Sequence, residues 1–138
     1  MEQKDYLLRE IEKVGAIIRA IRQKLFGGTD ELAISVNNQA EALTEMMLSE
    51  ALIDLDEILT MDVAETDEYL AGQKGFNVEN IELLARTLAD IGMTSGPAAS
   101  SALLEKALQL YEICNLRDRT YSFEREAAIS QLREALQR

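Results

Sequence analysis

Carboxylates are the most abundant side chains in this sequence able to do chemistry: 25 Asp and Glu stand among 138 residues, against 14 Lys and Arg. Glu50, Asp54 and Glu57 are spaced four and three apart, which puts them on one face of a helix, with Asp56 and Asp62 close in sequence. Such a row offers oxygen ligands to Mg²⁺ or Ca²⁺, and a small carboxylate-dependent enzyme using a divalent metal is the chemistry it would serve. The segment lacks the alternating D-x-D-x-D-G loop that wraps calcium, and a helix face alone presents its ligands sparsely. The expectation is a solvated acidic face, with no metal ligand, cofactor-binding residue or cofactor assigned.

Other reactive groups are few. Histidine is absent, which removes the usual general base at neutral pH and any Ser-His-Asp or Cys-His relay. The single cysteine, Cys114, falls four residues after Leu110 on an apolar face and is expected in the core rather than as a nucleophile. Gly27-Gly28 lacks the Lys-Ser/Thr of a phosphate loop, and Gly72 with Gly75 lacks the preceding strand. Tyr69, Tyr111 and Tyr121 read as packing residues with a wet hydroxyl. No catalytic residue is assigned, and the chain is expected not to be an enzyme.

Charge is unevenly distributed. Residues 1–26 carry 6 basic and 4 acidic groups, residues 27–85 one base (Lys74) against 14 acids, and residues 86–138 seven of each. An acidic middle repels phosphate backbones and anionic lipid, so neither nucleic acid nor a membrane is expected as a partner. A basic protein, or the positive first helix of a second copy, is electrostatically allowed. A further alternative is an acidic mimic of nucleic acid that blocks a basic binding protein. With one cysteine, no apolar leader after Met1-Glu2-Gln3-Lys4-Asp5 and no stretch long enough to span a bilayer, a reducing cytoplasmic setting is expected.

The elements that must position these groups read as helices. Leu7, Ile11, Val14, Ile18, Ile21 and Leu25 form one narrow stripe over 3–26, ended by Gly27-Gly28, with Lys4, Arg9, Lys13, Arg19, Arg22 and Lys24 off it. An acidic helical region over 29–72 starts at Thr29, with Asp30 and Glu31 in its first turn. Leu32, Val36, Ala40, Leu43 and Met47 form one stripe there; Leu48, Leu52, Leu55 and Leu59 form another, displaced by one residue. That displacement predicts a break near Leu48–Ser49, leaving one bent helix or two. Asp62 and Glu65 fit a capping box opening a short helix that stops at Gly72.

Asn77 is predicted to cap the next helix, with Phe76 and Ile81 as a hydrophobic staple and Gly92 closing it. Gly96-Pro97 restarts a helix whose wide apolar face, Leu103 to Cys114, places it near the centre. Ser122 caps a terminal helix bearing Phe123, Ala127, Ile129, Leu132 and Leu136, with Arg133 and Arg138 suited to its C-terminus.

Leu84-Ala85-Arg86-Thr87-Leu88-Ala89-Asp90-Ile91-Gly92, followed by Ala102-Leu103-Leu104-Glu105-Lys106-Ala107-Leu108-Gln109-Leu110, resembles a tetratricopeptide-type helical hairpin over about residues 81–118. The shared features are a small residue inside the first helix, a glycine at its end and the Lys-Ala-Leu of the second. The loop from Met93 to Ser101 reads as about three residues longer than the family's, and no proline follows at Asn115 to Asp118. The resemblance implies a scaffold of stacked helix pairs that binds a partner through a groove. The whole chain also resembles small bacterial helical proteins, from which no activity carries over.

The fold expected is all-α: a single compact domain over 1–138 of about six or seven helices in a TPR-like or bundle arrangement. It comprises an amphipathic helix over 3–26, the acidic helical region over 29–72, and a hairpin with a C-terminal helix over 77–137. The function expected is non-catalytic protein–protein interaction or scaffolding, with an external protein partner or a homo-oligomer.

Overall fold

The apolar stripe of the first helix, α1 (Glu2–Phe26), is used over only part of its length. Val14, Ile18, Ile21 and Leu25 are buried, Ile11 is half-buried, and Leu7 is 47% exposed. The first turns therefore run past the core, and the seam serves the chain's own interior from Val14 onward. These coordinates come from a computed structural model describing residues 2–27, 38–94, 97–119 and 122–137. The expected cap at Thr29, the first turn at Asp30 and Glu31, and Leu32, Val36, Gly28, Gly96, Tyr121 and Arg138 lie outside the described residues.

Among the described residues the acidic region forms three helices, α2 (Gln39–Ala51), α3 (Leu55–Thr60) and α4 (Val63–Ala71). The break expected at Leu48–Ser49 lies instead at Leu52, whose backbone is left-handed (φ 59°), and the N–H of Ile53 returns to the Met47 carbonyl at 3.1 Å. Burial explains the shift. The turn sends Ile53 fully inside, while Leu48 and Leu52, expected on an apolar stripe, are 52% and 76% exposed. Asp54 then caps α3, its Oδ1 accepting the Glu57 N–H at 3.2 Å. At the start of α4 the Asp62–Glu65 capping box is complete in both directions, and the helix ends at Gly72 as expected.

Asn77 Oδ1 accepts the Asn80 N–H at 3.0 Å and opens α5 (Val78–Thr94), with Phe76 and Ile81 both buried. Gly92 does not close this helix, which runs on to Thr94. It lies inside, where a methyl group would sit 2.8 Å from Leu104 Cδ2 of α6 (Pro97–Asp118). Glycine is there so that two helices can approach closely. The loop expected from Met93 to Ser101 is correspondingly shorter, since α6 already begins at Pro97. Cys114 Sγ donates to the Val78 carbonyl at 3.6 Å at the other end of the pair, so α5 and α6 run antiparallel.

α6 is the central helix. It packs on α3, α4, α5 and α7 (Phe123–Gln137). Its Leu104, Ala107, Leu110, Ile113 and Cys114 join Leu43, Met47, Leu70, Ile81, Leu84 and Leu88 in one hydrophobic core. In α7, Ser122 Oγ accepts the Arg125 N–H at 3.2 Å, while Ile129 and Leu132 are buried. Of the other apolar residues this helix bears, Phe123 and Ala127 are exposed, while the charged Arg125 is buried. The chain is a single compact all-helical domain, seven helices with no strand among the described residues. No described helix is long and apolar enough to cross a membrane.

Candidate functional site

The carboxylate row that sequence spacing placed on one face is divided by the turn at Leu52. Glu50 ends up on α2, where it meets Lys24 at 3.7 Å across an exposed surface. Asp54 and Asp62 are spent on capping α3 and α4, and the Asp54 N–H donates to the Tyr69 hydroxyl at 3.3 Å. Glu57 lies on α3, and Asp56 faces a different recess, between α2, α3 and α6. Among the described residues no group of three or more His, Cys, Asp or Glu is placed to hold a metal ion. Helix capping competed with ligand clustering for these side chains, and capping took two of them.

Cys114 is fully buried, and burial pushes its thiol from 9.0 up to about 12, the nearby Arg125 opposing. It stays a protonated core side chain at neutral pH.

One concave surface among the described residues lies along the outer face of α5. Its largest depression, about 470 Å³, is walled by Ala89 and Met93 of α5 and by Ala128, Gln131 and Leu132 of α7, with Tyr111 of α6 beside them and Glu82, Arg86 and Glu124 at its edge. Three smaller depressions adjoin it. One of about 270 Å³ between α1 and α5 shares Glu82 and Arg86 with it. Another, of about 290 Å³, shares Arg19 with the second and reaches Phe26. The last, of about 260 Å³, shares Met93 and Gln131 with the first and ends at Ala135. Shared side chains join the four into one furrow crossing α1, α5 and α7, with Phe26 (38% exposed) toward one end and Met93 (47% exposed) toward the other.

Two arginines hold the walls to α5 from opposite sides. Arg22 of α1 donates to Thr87 Oγ1 at 2.9 Å and to Asp90 Oδ2 at 2.8 Å, with its guanidinium 5.2 Å from the Phe26 ring centre. Arg125 of α7, 5% exposed, donates through Nε and Nη2 to Glu82 Oε1 (3.0 and 2.7 Å). The same guanidinium bonds Asp118 through both carboxylate oxygens and the Asn115 side-chain carbonyl. These hydrogen bonds, led by Asp118, raise its pKa against the opposing effect of burial, so it is a fixed positive charge. α5 is thus tied to α1 on one flank and to α7 on the other.

Burial, with help from Glu82 and Asp90, lifts the Tyr111 hydroxyl from 10.0 to about 12, so at neutral pH it is an uncharged donor and acceptor. Arg86 and Glu124 add a charged donor and a charged acceptor at the rim, while Ala89, Ala128 and Leu132 supply apolar wall. Polar and charged side chains, Glu82, Arg86, Asp90, Tyr111, Glu124 and Gln131, thus make up most of its lining, with the apolar wall as the smaller part.

No furrow residue was nominated from sequence. The signal available was a charged or polar residue standing on an apolar stripe: Arg125 precedes Ile129 and Leu132 at helical spacing, and Thr87 stands between Leu84 and Ile91.

Comparison of the chain with protein-family models, with curated proteins and with solved structures finds no match.

Proposed function

We propose that this chain is a non-catalytic interaction domain that seats a segment of a partner protein in the furrow across α1, α5 and α7. The supporting observation is the continuity of that furrow: four depressions linked through Arg19, Arg86 and Met93 over a floor pinned by Arg22 and Arg125. A TPR-like character for the α5–α6 hairpin is part of the proposal, supported by the close approach of Gly92 to Leu104 and by the buried small residues Ala85 and Ala107. So is a reducing, cytoplasmic setting, supported by the lone buried thiol of Cys114.

Self-association through the positive first helix has weaker support. Arg22 and Lys24, two of the six cations of α1, are engaged within the chain by Asp90 and Glu50. The partner proposed is therefore another protein.

Photo-crosslinking tests this. A benzophenone amino acid placed at Arg86 or Met93 should give a discrete protein adduct in cells, whereas the same group at Glu68 of α4 should not. Absence of adducts from both furrow positions, or equal adducts from Glu68, ends the proposal.

A further inference from the structure

A second concavity shares no lining residue with the furrow. It is a recess of about 440 Å³ between α2, α3 and α6, with Ala40, Leu59, Ala102 and Leu103 as apolar lining and Glu41, Glu45 and Asp56 around it. No Lys or Arg lines it, and none of the three carboxylates is in an ion pair among the described residues. The three helices α2, α3 and α4 contain no basic residue at all, so nothing on them offsets this field.

An independent observation extends the recess. On α2 the face formed by Ala40, Glu41, Thr44 and Glu45 continues at helical spacing to Leu48, and Leu52 follows at the helix's left-handed C-cap. Both leucines are exposed, and Leu52 is held in a left-handed backbone conformation that leucine adopts at a cost. From Ala40 to Leu52 the strip is about 18 Å long, the length of roughly three helical turns. Apolar floor, exposed leucines along one edge and uncompensated carboxylates together describe the acceptor side of a helix-in-groove contact.

We infer that the recess between α2, α3 and α6 is a docking surface for a basic amphipathic helix of a partner protein. Its apolar stripe lies on Leu59, Leu103, Leu48 and Leu52, and its Lys or Arg residues reach Glu41, Glu45 and Asp56. The chain then carries two distinct docking faces, one able to be occupied while the other is free.

The test uses the full chain and a fluorescein-labelled synthetic helix of leucine and lysine about fourteen residues long, its leucines three and four apart. Fluorescence anisotropy should show saturable binding that weakens with salt, and none for the same peptide with glutamate in place of lysine. Glu41→Lys with Glu45→Lys should weaken binding about tenfold or more, while the equal charge change of Glu12→Lys with Glu68→Lys, on helices that do not line the recess, should cost less than about threefold. Leu48→Gln, at an exposed site, should weaken it several-fold. Equal losses in the two double variants, binding of the glutamate peptide, or no binding would overturn the inference. So would a dimer of the chain, seen by light scattering and lost in the Glu41→Lys/Glu45→Lys variant, which would give the recess to a second copy.

Discussion

Lys106 Nζ stands 2.9 Å from the Thr66 hydroxyl, on a side chain only 3% exposed, and it touches no carboxylate. Its other donors go to the Met61 carbonyl at 2.8 Å and Gln109 Oε1 at 2.7 Å, so all three ammonium hydrogens have neutral acceptors. An ammonium of α6 thereby fastens the corner between α3 and α4.

Lys106→Met should destabilise the fold by about 1–3 kcal/mol, because buried acceptors lose their donor. Burial lowers the Lys106 pKa from its ordinary 10.5, against the pull of Asp62 and Glu65. Between the lowered value and 10.5 the unfolded chain binds more protons than the folded one, so the wild type gains stability as pH rises through that window. The deficit of the variant should accordingly widen toward pH 10.5 in urea unfolding. A deficit that narrows would show the charged form to be the favoured one inside.

Cys114 and Tyr111 act in the opposite direction. Both hold their protons in the fold up to about pH 12, against ordinary values of 9.0 and 10.0. Below pH 9 their contribution is complete; above it the unfolded chain ionises first and stability falls through about pH 12. Each such group contributes a slope of up to roughly 1.4 kcal/mol per pH unit. Cys114→Ala should lose stability less steeply than the wild type between pH 9 and 11, and the native thiol should resist a disulfide reagent at pH 8 until denaturant is added. Fast labelling of the folded chain would contradict its burial.

Arg125→Met strands Glu82 and Asp118. The expected loss is about 2–4 kcal/mol, below that for a wholly buried pair because both carboxylates keep some contact with water. Arg125→Lys should recover only a minor part, since one ammonium cannot reproduce the forked contacts to two carboxylates and Asn115. Full recovery by lysine would mean that charge, not geometry, holds α7 to α5.

Gly75 and Leu52 make a matched pair of backbone tests. Gly75 has φ +91°, and a methyl group there would lie 2.6 Å from the Glu10 carbonyl oxygen, so Gly75→Ala should cost about 2 kcal/mol or more. Leu52 has φ 59° in open solvent, so Leu52→Gly should be neutral or stabilising by up to about 1 kcal/mol. Thermal melts of the two variants moving in the same direction would contradict this account of the turn.

The helical caps and the general order of helices were legible because their information is local. Asp62 with Glu65, Asn77 with Asn80, and Ser122 with Arg125 are bonded three residues apart, within reach of any reading of the chain. The carboxylate row was misread for the same reason in reverse. Helical spacing of Glu50, Asp54 and Glu57 holds only if the helix continues, and whether it continues depends on Ile53 finding the core.

Periodicity and capping chemistry by themselves determined that the chain is all-helical, that α6 is central, and that Cys114 is a core side chain, since burying an apolar face dictates the spacing of its residues. Tertiary structure alone decided which polar residues on those faces go inside and with whom. Lys106 meets Thr66 across 40 residues, Arg125 meets Glu82 across 43, and Arg22 meets Asp90 across 68. Gly92 became a point of helix contact rather than a helix end because Leu104 is there to meet it. The furrow and the acidic recess are spaces between helices distant in sequence, and such a space exists only once the helices have packed.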